Sequence, residues 1–160
     1  MNYIKLVDIL GTSFSIDEKF DIVSAFDVLF HIVDDQLYGN AWKNISNKVK
    51  KAGYFIFTEN LFLAPKISTH IVFREREKLF EKLVHNLKIG KIAPVFVLMN
   101  ELIVTQSVLL KLWWKGVQTL LKFSSVSGNI LGPKLFLIEG LLINIVSNGP
   151  STHIIICKKM

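Results

Sequence analysis

The chain has 160 residues, enough for one domain of ordinary size with a substantial core. A hydrophobic fraction of 51% and a mean hydropathy of +0.41 are high for such a domain, so either the core is large or apolar surface meets a partner. The net charge of +6 is spread over separate segments and forms no stripe interleaved with aromatics, which argues against a nucleic-acid surface.

In chain order, Tyr3 to Leu10 reads as a short strand broken by Gly11-Thr12-Ser13, with Asp8 near its exit as a turn or cap acceptor. Phe20 to Phe26 reads as a strand buried on both faces, and Asp27 to Asp35 as a loop leaving its carboxyl end. Asp34 or Asp35 is placed to cap a helix on which Leu37, Tyr38, Ala41, Trp42, Ile45 and Val49 share one face. Lysines crowd its last turn, Gly53 supplies a left-handed terminus, and Tyr54 to Thr58 forms the next strand. Strand, crossover helix and strand at this spacing make a right-handed parallel unit, and such sheets bind ligands at the carboxyl ends of their strands. Ala25 to His31 is therefore where chemistry is expected.

Arg74 to Leu87 reads as a helix with Leu79, Phe80, Leu83, Val84 and Leu87 inward. The alternating signs of Arg74, Glu75, Arg76, Glu77 and Lys78 predict a solvated face, and Asn86 a terminus. Ile89 to Leu98 reads as a strand that Pro94 assigns to a sheet border. Residues 101–123 form an apolar helix containing Trp113 and Trp114, and Ser124 to Gly132 reads as a loop. Pro133 suits the first turn of another helix, reaching about Val146, that is apolar all round. Asn148-Gly149-Pro150 is a turn, and His153 to Lys158 a last strand.

His31 leaves the sheet at its ligand edge with Asp27 four residues before and Asp34 three after, so it is either a base or substrate-orienting group, or a structural hydrogen bonder beneath the loop. His70, His85 and His153 have no metal-like spacing with His31 or Cys157, so no metal site is expected. Neither a nucleophile elbow nor a phosphate-cradling glycine loop occurs. The single Cys157 cannot form an internal disulfide and no basic-then-apolar leader opens the chain, so a reducing, cytoplasmic setting is expected.

The stretch Glu18 to Asp35, the Lys51-Ala52-Gly53-Tyr54 turn, the Pro94 to Asn100 segment and the terminal Gly149 to Lys158 strand together resemble a class I S-adenosylmethionine-dependent methyltransferase. The resemblance covers the carboxyl-terminal two-thirds of that family's domain. It implies a partial Rossmann-like α/β sheet over residues 1–160, mostly parallel with an antiparallel last strand, helices on both faces and a helical insertion at about 101–147. Carried over by position, Asp8 would accept from the adenine amino group, with Ile9 walling the adenine pocket. Ala25 and Phe26 would lie along the methionine portion of S-adenosylmethionine, and His31 would face the acceptor. The family's Glu/Asp-x-Gly-x-Gly loop, its first strand and its ribose-binding acid do not occur before Tyr3, and the second glycine of its "Lys-x-Gly-Gly" turn is replaced by Tyr54.

Two classes of function follow. One is methyl transfer from S-adenosylmethionine to a small-molecule or lipid-like acceptor by a truncated domain that alone binds cofactor weakly or not at all. The other is a non-catalytic relic or half of a split methyltransferase, acting as an interaction module through a bare strand edge on a completing polypeptide or a second copy. The two apolar helices between Glu101 and Val146 would then be either a cap over the acceptor pocket or a dock on a membrane surface.

Overall fold

The computed structural model describes residues 10, 17–61, 66–67, 70–74, 86–98, 107–123, 125–145 and 152–160. All of the predicted Tyr3 to Leu10 strand except Leu10, and most of the predicted Arg74 to Leu87 helix, therefore lie outside the described residues. The elements are β1 (Phe20–Ala25), one 3-10 turn (Leu29–His31), α1 (Asp35–Lys48), β2 (Val49–Asn60), β3 (Lys66–Ile67), β4 (Val72–Phe73), β5 (Leu87–Pro94), α2 (Val108–Phe123), α3 (Ser125–Ile145) and β6 (Thr152–Lys159). They fall into two compact units, Met1–Ile92 with Ile155–Met160, and Ala93–Ile154.

A four-stranded sheet has the order β1-β2-β6-β5, and β3 pairs with β4 in a small antiparallel ribbon. β1 and β2 are parallel, with α1 as the crossover. Hydrogen bonds at both ends of the β5–β6 pair join Met160 N to Asn86 O and Val95 N to Thr152 O, so these two strands are antiparallel. Pro94 ends β5 at the sheet border, where its missing N–H breaks no ladder.

α1 begins because Asp34 is its cap: one carboxylate oxygen accepts from the amides of Gln36 and Leu37, each at 2.8 Å. Tyr38, Ala41, Trp42 and Ile45 on its inward face are buried, whereas Leu37, expected inward, is exposed beside the cap. Trp42 meets Phe55 and Phe57 edge-on at 5.4 and 5.1 Å, and those two rings stack at 4.9 Å. Val23 and Ala25 pair with Phe55 and Phe57, so α1 covers this face of the sheet, and Leu29, Leu87, Ile155 and Cys157 complete the core.

β1 departs from expectation. It is an edge strand among the described residues, and Phe20 and Ile22 are exposed where burial on both faces was predicted, Ile22 by 61%. Ile22 pairs with Tyr54, itself exposed, on the face opposite α1. A second departure lies at the start of β2, where the register jumps from Phe20 opposite Val49 to Ile22 opposite Tyr54, so residues 50–53 bulge outward. Ala52, not Gly53, holds the left-handed conformation, with φ 64°. Gly53 is required for closeness instead: a Cβ there would sit 2.8 Å from Asp21 O and 2.9 Å from Lys50 O.

In the second unit, Ser107 caps α2 through the amides of Leu110 and Lys111. Residues 125–132, expected as loop, are already helical, and Pro133 lies inside α3 rather than in its first turn. The inward spacing of Gly128, Leu131, Leu135, Glu139 and Leu142 starts before the proline, and this periodicity outweighs the local serine and glycine content. Glu139 is buried and its carboxylate accepts from the amides of Val97 and Leu98.

Candidate functional site

The parallel pair β1–β2 leaves its carboxyl ends at Ala25 and Asn60, and the chain after Ala25 is anchored by one hydroxyl. Asp27 N donates to Thr58 Oγ1 at 2.7 Å, and that hydroxyl donates back to Asp27 Oδ1 at 3.0 Å. The reciprocal pair fixes Asp27 at φ 54°, a left-handed conformation that aspartate tolerates better than most side chains. Ala25 is half-buried, and Phe26 stands 51% exposed at the strand end, an apolar wall beside a small residue.

The 3-10 turn follows, pinned by the fully buried Leu29, and presents the exposed ring of His31. His31 Nδ1 lies 3.2 Å from His70 O. A carbonyl only accepts, so Nδ1 carries the proton and Nε2 keeps its lone pair in the neutral ring. The Phe30 ring packs at 4.5 Å and holds the imidazole from the side. Neither acid that flanks His31 in sequence pairs with it: Asp27 is engaged by Thr58 and Asp34 caps α1. Ala25, Phe26, Asp27 and His31 thus lie in the segment that leaves the carboxyl end of β1, while Asp8 and Ile9 lie outside the described residues.

Behind this edge sits a buried polar cluster that sequence patterning does not single out. Arg74 was expected on a solvated face, yet it is buried and stacks 3.7 Å above the Tyr38 ring centroid. It donates to Ile32 O at 2.9 Å and to Asp35 Oδ1 at 2.8 and 3.1 Å, so it ties the loop after His31 to the start of α1. Glu59, 2% exposed, accepts from the Asn60 amide at 3.2 Å. Burial pushes its carboxyl up to about 7; the Arg74 charge partly opposes this and Asp27 reinforces it. Burial, aided by the Glu59 charge, also pushes the Tyr38 phenol up. Tyr38 Oη, Trp42 Nε1 and Arg74 Nη1 have no hydrogen-bond partner among the described residues. The available signal was Thr58-Glu59-Asn60, three polar residues continuing an aromatic strand past its buried middle. Cys157, by contrast, is buried in the core and its thiol is pushed up to about 12, so it is inert.

No protein-family model and no curated protein matches the chain. Among solved structures it is similar to the N-methyltransferase NodS of Bradyrhizobium japonicum WM9 in complex with S-adenosyl-L-homocysteine, at 13% identity and a TM-score of 0.50, over 95% of this chain and 51% of that one. It is similar to an O-methyltransferase from a trans-AT PKS multienzyme of Brevibacillus brevis, also with S-adenosyl-L-homocysteine, at 17% identity and a TM-score of 0.55, over 95% and 47%. It is similar as well to the cyclase SpnF, at 15% identity and a TM-score of 0.54, over 97% and 54%. The chain thus spans about half the length of these structures.

Proposed function

We propose that this chain, which has the fold of class I S-adenosylmethionine-dependent methyltransferases over about half of their length, serves methyl transfer to a small-molecule or lipid-like acceptor at the edge formed by Ala25, Phe26, Asp27 and His31. The observation that carries this reading is the carboxyl end of β1, anchored by the Asp27–Thr58 pair with Phe26 and His31 exposed beside it, in a sheet of that fold. Fold alone does not name a reaction, and a cyclase shares it.

The described residues fit part of the cofactor. By resemblance the small Ala25 and the exposed apolar face of Phe26 would take the methionine portion, with Asp8 and Ile9 assigned to the adenine end. When bound, S-adenosylmethionine supplies a methyl group on a sulfonium, reactive without further activation. The protein's task is then to align the acceptor in line and exclude water. His31 is positioned for the remaining proton: with Nδ1–H held by His70 O, Nε2 accepts a proton from an acceptor hydroxyl or ammonium.

Titrating the chain with S-adenosyl-L-homocysteine by NMR tests the reading. Shifts confined to the Ala25–Asp27 amides, with an affinity weaker than micromolar, are expected of half a pocket. A chain whose amides there do not respond at any concentration has no cofactor role at this edge. The position of β1 at the sheet edge among the described residues, with Phe20 and Ile22 exposed, favours a second reading, in which the domain is a relic or one half of a split enzyme completed by another polypeptide or copy. A clean monomer in size-exclusion chromatography with light scattering counts against it.

A further inference from the structure

We infer that α2 and α3 form a docking surface for an anionic lipid bilayer, adsorbed in the plane of the membrane rather than spanning it. At about 100° per residue, Lys111, Lys115 and Lys122 fall within about 40° of one another on α2, on one side of an apolar arc. That arc holds Val108, Leu109, Leu112, Trp113 and Leu120, all exposed, Leu109 by 78%. Among the described side chains of α2 only Val117 is buried, with Leu110 and Trp114 half-buried. On α3 the outward face carries Ile130, Leu137, Leu141 and Ile145 around the exposed Lys134, with Leu137 at 72%. So large an apolar surface marks an interaction site.

Charge decides the occupant. Every exposed charged side chain on these two helices is a lysine, and their one acid, Glu139, is buried against the Val97 and Leu98 amides. A second copy seated on this face would bring like charges together. Lysines flanking an apolar arc, with a tryptophan on it, suit anionic headgroups above an acyl layer. By length and composition Gly128–Ile145 could cross a membrane. Its central Glu139, however, binds backbone amides of its own unit, which holds α3 to the protein instead.

The inference is independent of methyl transfer, since vesicle binding needs no cofactor. Co-sedimentation of the full chain with vesicles of equimolar phosphatidylcholine and phosphatidylserine, against vesicles of phosphatidylcholine alone, tests it. Binding is expected to the former, to be released by salt, and to fall roughly fivefold per lysine removed, on the order of 100-fold for the triple K111Q/K115Q/K122Q variant. The three lysines are exposed, so the variant should keep its far-ultraviolet circular dichroism; the salt titration of the unmodified chain gives the same reading without any variant. Protein left in the supernatant with both vesicles, or bound equally to both and indifferent to salt, overturns the proposal. So does a dimer in light scattering that Leu109→Ser with Leu112→Ser dissolves while vesicles capture nothing, which would assign the face to a second copy.

Discussion

Glu59 is the residue whose environment most alters its chemistry. In the unfolded chain it ionises near the ordinary value of 4.5; in the folded one burial holds the proton until about 7. Between those values the folded state binds more protons than the unfolded, so this carboxyl lowers stability as pH rises through that window. Glu59→Gln keeps an acceptor for the Asn60 amide and removes the titration. Urea midpoints of the two proteins should agree below about pH 4.5 and separate above pH 7, the variant being more stable by up to about 3 kcal/mol. A constant difference at all pH values would mean that Glu59 is solvated. The local sequence marks only a polar run, Thr58-Glu59-Asn60, at the end of an aromatic strand; that Glu59 is buried and interacts electrostatically with Arg74 and Tyr38 depends on residues far away in the chain.

At the scale of elements, α1 and β2 were the most legible part. Capping by Asp34 and the spacing of Tyr38, Trp42 and Ile45 are local signals, and local signals survive folding. The bulge opening β2 was not legible in detail. Gly53 was read as the left-handed residue, but the pairing of β1 with β2 places Ala52 there and makes Gly53 the point of closest approach. A Cβ at φ 64° is strained, by about 1–2 kcal/mol, while glycine adds about 0.5–1 kcal/mol of unfolded-state entropy to be lost. Ala52→Gly should therefore stabilise the chain by about 0.5–1 kcal/mol in urea denaturation. Gly53→Ala should do the reverse, because backbone oxygens cannot step aside for the new methyl. Stabilisation by both substitutions would reject the bulge geometry. The Ser124 to Gly132 segment misled for a related reason: its composition favours a loop, yet Gly128, Leu131 and Leu135 continue the inward face of α3.

Across the whole molecule, the parallel β1–β2 pair was readable from element order and the antiparallel last strand from the family resemblance, whereas strand burial was not. A strand of apolar residues such as Phe20 to Phe26 reads as central, but its exposure depends on which neighbours the sheet supplies. Here β2 lies on one side, and no described strand lies on the other. Phe20, Ile22 and Ser24 consequently face solvent while Val23 and Ala25 pack on the core. A strand edge with no ladder partner among the described residues, beside an exposed isoleucine, is a template for another strand. If that flank recruits one, from a second copy or a completing polypeptide, Ile22→Lys should lower the mass measured by light scattering by placing a charge on the edge. The urea midpoint should barely move, since the side chain contributes little to the core. Association that persists in the variant would place the contact elsewhere, with the lysine-flanked face of α2 and α3 the next surface to test. Loss of stability together with association would instead show that Ile22 is covered within the monomer, and that the β1 edge is not bare.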